Sequence, residues 1–180
     1  MRKPHAAWGF LRLVIIYRLI EFVFGLKCES SSAVINNKSM KILITNFHPG
    51  IGGGHVTYIE SLLLGLKGSH SLFVACPATS RLFKRSLAID GVQTIDMSFT
   101  TRPASWFSAR AALRELIIKE SFDVIHVNGS SDHKQVMLAL VGLKCVPRVV
   151  FTKHNDRGVS SVGHHLRARF STDHVIAVSE

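Results

Sequence analysis

Three consecutive glycines in the loop HPGIGGGH, residues 48–55, are suited to binding an anionic ligand. The loop separates a short apolar run from a segment with helical spacing. Glycines at such a place let backbone N–H groups and the N-terminus of a helix approach a phosphate closely. We therefore count Gly52, Gly53, Gly54 and the adjacent His55 as candidate ligand-binding residues. The alternative is a tight turn in which the glycines only permit close packing of the helix on the strand.

The loop matches neither of the two common nucleotide-binding fingerprints. A dinucleotide-binding loop reads G-x-G-x-x-G, but His55 stands where the last glycine belongs. The second apolar run ends in Ala75-Cys76-Pro77, without the acidic residue that would hold a ribose. No Lys-Ser or Lys-Thr pair follows the glycines, as a P-loop requires. NAD binding and P-loop nucleotide binding are therefore not expected.

A second candidate site lies in DVIHVNGSSDH, residues 123–133. His126 alternates with apolar residues, and Asn128 follows at the end of the same run, so these two are the nearest candidates for a catalytic group. A lone histidine inside an apolar strand is more often a hydrogen-bonded core residue than a catalyst. Asp132 has the position of a residue that caps the following helix. Both interpretations of His126 stay open at the level of sequence.

A third candidate site is TKHNDRG, residues 152–158. Polar groups are denser there than a routine turn needs. Lys153, His154 and Arg157 are predicted to bind a phosphate or a sugar hydroxyl. The alternative is a solvated loop.

The elements that position these loops are six short apolar runs that alternate with helical patterns. The runs occupy residues 41–47, 71–76, 92–97, 122–129, 148–154 and 173–180, and the helical patterns occupy 55–67, 81–89, 106–120, 132–144 and 162–171. Such alternation predicts an α/β fold, a doubly wound Rossmann-like parallel sheet of about six strands with helices on both faces. Ligands of such sheets bind at the carboxyl ends of the strands. All three candidate loops follow a predicted strand.

Composition limits the class of protein further. The chain has 180 residues, 47% of them apolar and 19% charged, which suits a folded domain with a core and not a disordered chain. The net charge of +10 favours anionic partners. We expect no nucleic acid among them, since no recognised module or interleaved aromatic pattern follows the first segment. The ten histidines include no HExxH or similar spacing, so no metal site is predicted. The three cysteines form no CxxC pair, which fits a reducing cytoplasm.

The first 39 residues differ from the rest of the chain. An apolar and basic segment is followed by a polar linker, and Met40 begins the first predicted strand. Because Arg12, Arg18 and Glu21 interrupt the apolar run, we predict a helix in the membrane interface and not a spanning helix. The predicted organisation is thus this segment at 1–39 and a Rossmann-like domain at 40–180, peripheral at the inner face of an anionic membrane. The alternative is that 1–39 is a dispensable extension or follows from a misplaced start.

Four segments carry a resemblance to a known family. They occur in the order MKILITNFHPGIGGGHVTYIESLLLGL, FDVIHVNGSSDH, VVFTKHN and DHVIAVSE. In order and spacing they resemble the amino-terminal domain of family 4 glycosyltransferases, which belong to the two-domain GT-B class. The resemblance covers residues 40–180.

The resemblance implies a retaining transferase that moves a sugar from a nucleotide-diphosphate sugar to a glycan or glycolipid acceptor. It implies that no cofactor and no metal ion are needed and that the product is a surface polysaccharide or lipopolysaccharide. By the same resemblance, Gly52, Gly53 and Gly54 lie near the donor diphosphate, and the end of the fourth strand approaches the reacting sugar. The donor-side domain would be a separate carboxyl-terminal domain or subunit.

Two departures from the family pattern shape the expectations. Many relatives carry a second histidine where this chain has Asn128, and an asparagine hydrogen-bonds a hydroxyl but takes no proton at neutral pH. The 180 residues end before a donor-side domain, so we expect the isolated chain to fold without measurable transfer. The alternative functions are a non-catalytic binding module of the same fold and an unrelated nucleotide-binding Rossmann-like domain.

Overall fold

The computed structural model describes residues 39–50, 53–100, 103–154 and 172–177. Within these residues, strands alternate with helices from β1 to β5, and β6 completes the sheet. The strands are β1 Lys41–Thr45, β2 Ser71–Cys76, β3 Val92–Asp96, β4 Val124–Val127, β5 Arg148–Lys153 and β6 His174–Ala177. The helices are α1 Gly54–Leu66, α2 Arg81–Leu87, α3 Pro103–Glu120 and α4 Ser130–Leu140.

The six strands form one parallel sheet in the order β3-β2-β1-β4-β5-β6. From β1 the chain winds outward through β2 and β3, then crosses back to β4 on the other side of β1. The boundary between β1 and β4 is therefore the switch point of a doubly wound sheet. The predicted fold class, a Rossmann-like parallel sheet of about six strands, is confirmed.

One face of the sheet packs against α3 and α4. The hydrophobic cluster on this face joins Leu43 of β1 and Ile125 of β4 to Leu113 and Ile117 of α3 and Val136 of α4. Each of these side chains is at most 3% exposed. Burial of an aliphatic side chain of this size contributes about 1.5–3 kcal/mol, so this cluster is the main source of stability on this face.

The opposite face carries α1 and α2. Alternate residues of β1 point to this side, where Ile44 is fully buried, as are Ile59 of α1 and Leu82 of α2. The two helices contact each other, and an ion pair joins Arg85 of α2 to Glu60 of α1. The hydroxyl of Ser80 accepts a hydrogen bond from the backbone N–H of Phe83 at 3.1 Å and so caps α2.

Four of the predicted strands continue past the ends that the structure gives them. The runs are 41–47, 92–97, 122–129 and 148–154, and the strands end at Thr45, Asp96, Val127 and Lys153. For β4 the cause is visible, because the backbone N–H of Asn128 donates to a side chain, the carboxylate of Asp132, and not to a neighbouring strand. The extra residues thus form a polar rim beyond the sheet.

Parts of the sequence prediction lie outside the described residues. They are the first segment up to residue 38, the helical pattern 162–171 and the end of the last run at 178–180. Within the residues that are described, no helix is long and apolar enough to cross a membrane.

Candidate functional site

Polar residues gather at the carboxyl ends of three adjacent strands, β1, β4 and β5. Asn46 and His48 follow β1, Asn128 follows β4, and His154 follows β5. The rim formed by these residues lies at the switch point, where the crossovers from β1 and β4 leave in opposite directions. This is the place at which doubly wound sheets bind their ligands.

Asp132, in the first turn of α4, ties the ends of β1 and β4 together. Its Oδ2 accepts hydrogen bonds from the Thr45 hydroxyl at 2.8 Å and from the backbone N–H of Asn128 at 3.0 Å. The side chain is fully buried, and this burial raises the pKa of Asp132 to about 7, although the hydrogen bonds act in the opposite direction. Asp132 therefore holds the rim in place from inside the fold.

The side chain of Asn128 is built into the same network. Its amide Nδ2 donates to the carbonyl oxygen of Thr45 at 3.1 Å and to that of His126 at 3.4 Å. Its Oδ1 lies 3.3 Å from Nε2 of His154, at the end of the neighbouring strand. Since Asn128 is only 4% exposed, most of its hydrogen-bonding capacity is used within the protein.

His126 lies in the core below the rim. It is 4% exposed, and its Nε2 is 2.6 Å from the hydroxyl of Thr152 on β5. The hydroxyl of Tyr58 on α1 is 3.3 Å from the same Thr152 oxygen, and its ring meets that of His126 edge-on. Burial, with a smaller effect of His154, lowers the pKa of His126 to about 3. These are the surroundings of a neutral, hydrogen-bonded core histidine.

Three half-buried imidazoles line the rim. The ring centroids of His48 and His55 are 4.5 Å apart, and those of His55 and His154 are 6.2 Å apart. Burial lowers the pKa of all three, and for His154, where His55 and His48 add to the effect, the pKa falls to about 4. At neutral pH these rings are uncharged, so each presents one N–H donor and one nitrogen acceptor.

The glycine loop leads directly into α1. Gly53 precedes the helix with φ 141° and ψ 152°, a conformation that residues with a Cβ rarely adopt. A Cβ atom at this position would lie 2.6 Å from the ring of His55. Gly53 provides no side-chain cap and the first turn of α1 holds no acidic residue, so no side chain of this turn accepts from the first N–H groups. The start of α1 therefore has the features of an anion-binding helix end.

Most of the predicted ligand-binding residues are at this rim or next to it. Gly53 precedes α1, and Gly54 and His55 are its first two residues. Asn128 follows β4, Lys153 is the last residue of β5, and His154 follows it. Gly52 and Arg157 lie outside the described residues. The ligand contacts assigned to all of these residues stay predictions.

Sequence reasoning missed the residues that hold the rim together, Thr45, Tyr58 and Thr152. The two threonines are polar residues near the ends of apolar strands, which is a usable signal. Tyr58 gives no such signal in the sequence, because its hydrogen-bonding partner Thr152 is 94 residues away. In the described ranges, no group of three or more histidine, cysteine or acidic side chains is arranged to hold a metal ion.

A family model described as Glycosyltransferase Family 4 matches residues 52–180. The chain belongs to glycosyltransferase family 4. The match confirms that this family 4 domain resembles the amino-terminal domain of GT-B glycosyltransferases. The glycine loop, the rim and the sheet all lie within the matched part of the chain or directly beside it.

A solved structure shares the fold of this family 4 domain. The domain is similar to a glycosyltransferase from Rickettsia africae ESF-5, with a TM-score of 0.60 and 18% sequence identity. The similarity covers 79% of this chain and 37% of the other chain, so this chain spans well under half the length of that protein. A comparison with curated protein sequences finds no match.

Proposed function

We propose that this chain is the acceptor-side part of a glycosyltransferase that moves a sugar from a nucleotide-diphosphate sugar to a glycan or glycolipid. The observation that carries the proposal is the convergence of the glycine loop, Asn128 and His154 at the switch point of a family 4 domain. The reaction breaks the bond between the anomeric carbon and a diphosphate oxygen and forms a bond from that carbon to the oxygen of an acceptor hydroxyl. The nucleoside diphosphate is the leaving group, and the proton of the hydroxyl is released with it. The stereochemistry we propose is retention, without a metal ion.

The donor diphosphate is assigned to the start of α1. Gly53 and Gly54 are exposed, and nothing lies within 4 Å of a Cβ built at Gly54, so the backbone is accessible there. The first N–H groups of α1 carry the positive end of the helix dipole, which favours a negatively charged group. The net charge of +10 attracts the same class of ligand at longer range.

The acceptor is assigned to the histidine-lined part of the rim. His48, His55 and His154 are uncharged at neutral pH because burial lowers the pKa of each. Neutral imidazoles pair with hydroxyl groups, which both donate and accept, better than with phosphate oxygens, which only accept. Sugar hydroxyls therefore suit this part of the rim.

The site of action that we propose is the cytoplasmic face of a membrane, where lipid-linked acceptors of polysaccharide and lipopolysaccharide assembly would be presented. The apolar and basic segment 1–39 supports this location, since aromatic and arginine side chains in one segment suit the headgroup region.

The direct test is a transfer assay on the full gene product that contains this sequence. UDP-, GDP- and dTDP-sugars are each supplied with a membrane glycolipid extract, with and without EDTA, and the product linkage is read by NMR. We expect transfer from one nucleotide class, insensitivity to EDTA and an anomeric configuration equal to that of the donor. Acceptor binding without transfer from any donor would instead identify a binding module.

A further inference from the structure

Tyr58 lies in the second turn of α1 and joins this helix to strand β5. Its hydroxyl is 3.3 Å from Oγ1 of Thr152, and Nε2 of His126 on β4 is 2.6 Å from the same oxygen. Thr152 and His126 are both buried. Three side chains thus form one hydrogen-bonded chain, which connects α1 with two neighbouring strands of the sheet.

Both hydrogen bonds are compatible with the protonation states of these side chains at neutral pH. Burial raises the pKa of Tyr58, although the hydrogen bond with Thr152 acts in the opposite direction, so the phenol keeps its proton. Burial lowers the pKa of His126 to about 3, so the imidazole is neutral. The hydroxyl of Thr152 donates one hydrogen bond while it accepts another, so it serves both neighbours at once.

The contact made by Tyr58 differs in kind from the rest of the packing of α1. The buried side chains of this helix are apolar, namely Val56, Ile59, Leu62, Leu63 and Leu66. Apolar contacts stabilise the helix but are not directional, whereas a hydrogen bond depends on distance and angle. Glu60 of the same helix forms an ion pair with Arg85 of α2, which does not fix α1 relative to β5. Tyr58 therefore supplies a directional contact between α1 and β5.

This contact lies close to the start of α1. Four residues separate Tyr58 from Gly54, which is about 6 Å along a helix. Gly53 has no side chain that could cap this end of the helix. A shift of Tyr58 relative to β5 would therefore displace the first N–H groups of α1 by a similar distance. The ring centroids of Tyr58 and His154 are 5.3 Å apart, so Tyr58 also lies beside the histidine-lined part of the rim.

We propose that Tyr58 is a positioning residue, which holds the start of α1 at a fixed distance from the end of β5 through its hydrogen bond with Thr152. This assignment rests on the proposed function, which places the donor diphosphate at the start of α1 and the acceptor at the histidine-lined part of the rim. Transfer needs the anomeric carbon and the acceptor oxygen to be about 3–3.5 Å apart. Tyr58 thus acts on the rate of transfer through the separation of the two ligands, and not through a contact with either of them.

The hydrogen bond itself is tested on the chain 1–180 by amide hydrogen exchange. Tyr58→Phe keeps the ring but removes the hydroxyl. We expect the amides in the second turn of α1 to exchange about fivefold faster in this variant, the factor that corresponds to one lost hydrogen bond. Thr152→Val should have the same effect. Glu60→Gln is the matched control in the same helix and should change the exchange less than about twofold, since a partly exposed ion pair contributes little. Unchanged exchange in Tyr58→Phe overturns the proposal.

The effect on the reaction is tested in the full gene product, with rates referred to the folded fraction measured by circular dichroism at the assay temperature. We expect Tyr58→Phe to lower kcat about tenfold and to leave KM for donor and acceptor unchanged, because both ligands still bind. Thr152→Val should lower kcat equally, and the double variant should lower it no further, because both substitutions remove the same hydrogen bond. Thr152→Ser keeps the hydroxyl, so this variant and Glu60→Gln should transfer like the wild type.

Two kinetic results would contradict the role of Tyr58 in a protein that transfers sugar. A raised KM in Tyr58→Phe would mean that Tyr58 contacts a ligand. Independent losses that multiply in the double variant would mean that Tyr58 does not act through Thr152.

The two proposals fail in different ways. If the wild type transfers sugar and Tyr58→Phe has the same kcat, the role of Tyr58 is wrong and the proposed function stands. If the wild type transfers no sugar from any donor, the proposed function is wrong and the role of Tyr58 in transfer is wrong with it. The exchange data then still show whether Tyr58 holds α1 on β5.

Discussion

Gly129 lies directly against the ring of Phe47. A Cβ atom at position 129 would overlap the Cδ1 and Cε1 atoms of this ring and would come within 2.9 Å of Oδ1 of Asp132. The glycine follows β4 and the phenylalanine follows β1, so this contact brings the two ends of the switch point together. Gly129 has φ −160°, which any residue can adopt. Glycine is therefore required here by the close approach of the Phe47 ring and not by the backbone conformation.

Gly129→Ala is therefore expected to destabilise the fold by about 1–3 kcal/mol, the usual cost of inserting a methyl group into a packed region. Urea unfolding followed by circular dichroism measures the change. Gly68→Ala is the matched control, because a Cβ at Gly68 would meet nothing within 4 Å. Equal stability of the two variants would mean that Phe47 moves aside without cost.

Gly53 and Gly54 differ in why a glycine suits the position. The backbone conformation favours glycine at Gly53, whereas at Gly54 only contact with a ligand would. Gly53→Ala is expected to lower stability by about 1–2 kcal/mol, because φ 141° is strained for alanine and the new Cβ would meet the His55 ring. Gly54→Ala is expected to keep or raise stability, since alanine favours a helix and the space is open. If the diphosphate contacts the backbone there, Gly54→Ala still lowers transfer. Thermal unfolding and the transfer assay, done on both variants, distinguish the two effects.

Asp132 makes stability depend on pH in a definite direction. Its pKa is raised from its ordinary value to about 7, so the native state retains a proton that the unfolded state loses from about pH 4 upward. Stability from this group is lost as the pH rises through 7. Asp132→Asn stays neutral, so relative to the wild type it should be about 2–3 kcal/mol more stable at pH 8 than at pH 5. Urea titrations at both pH values measure this, with the exposed Asp90→Asn as control; parallel pH profiles for wild type and Asp132→Asn would contradict it.

His126 makes the stability of the fold depend on pH in the acidic range. Burial lowers the pKa of His126 to about 3. Below pH 6.5 this imidazole therefore gains a proton in the unfolded state but not in the native state. The wild type should lose about 2 kcal/mol between pH 7 and pH 5 through this group, and His126→Gln should lose correspondingly less. Thr152→Val removes the hydrogen-bond partner but keeps the imidazole, so its acid sensitivity should persist. If His126→Gln is as acid-sensitive as Thr152→Val, His126 is not the titrating group.

Membrane attachment is tested by deletion of residues 1–39. The shortened chain should no longer sediment with vesicles of phosphatidylglycerol and phosphatidylcholine, whereas its thermal transition should stay the same. Binding of the full chain should weaken as the salt concentration rises, since arginines contribute to it. If the shortened chain still binds, the basic face of α2, with Arg81, Lys84 and Arg85, is the membrane contact instead.

The candidate site was only partly visible in the sequence. The glycine loop, Asn128 and His154 were found because unusual residue types follow predicted strands, and parallel strands end at a common edge. The hydrogen bond between Thr45 and Asp132 is not predictable from the sequence, since 87 residues separate the two partners. The sequence likewise does not predict that His126 is buried. Alternation along a strand shows which face of the sheet a side chain lies on, but not which elements cover that face.

The sequence by itself determined the elements and the class of fold. Apolar runs of strand length alternate with helical patterns, and burial of those runs on both faces requires a parallel sheet with helices on each side. Local spacing is enough for this, because each element is specified by its own hydrophobic pattern. The tertiary structure alone decided the strand order and, with it, that β4 lies between β1 and β5. The pairing of Asn128 with His154 follows from that order, since contacts between distant residues depend on which strands are neighbours and no local pattern encodes this.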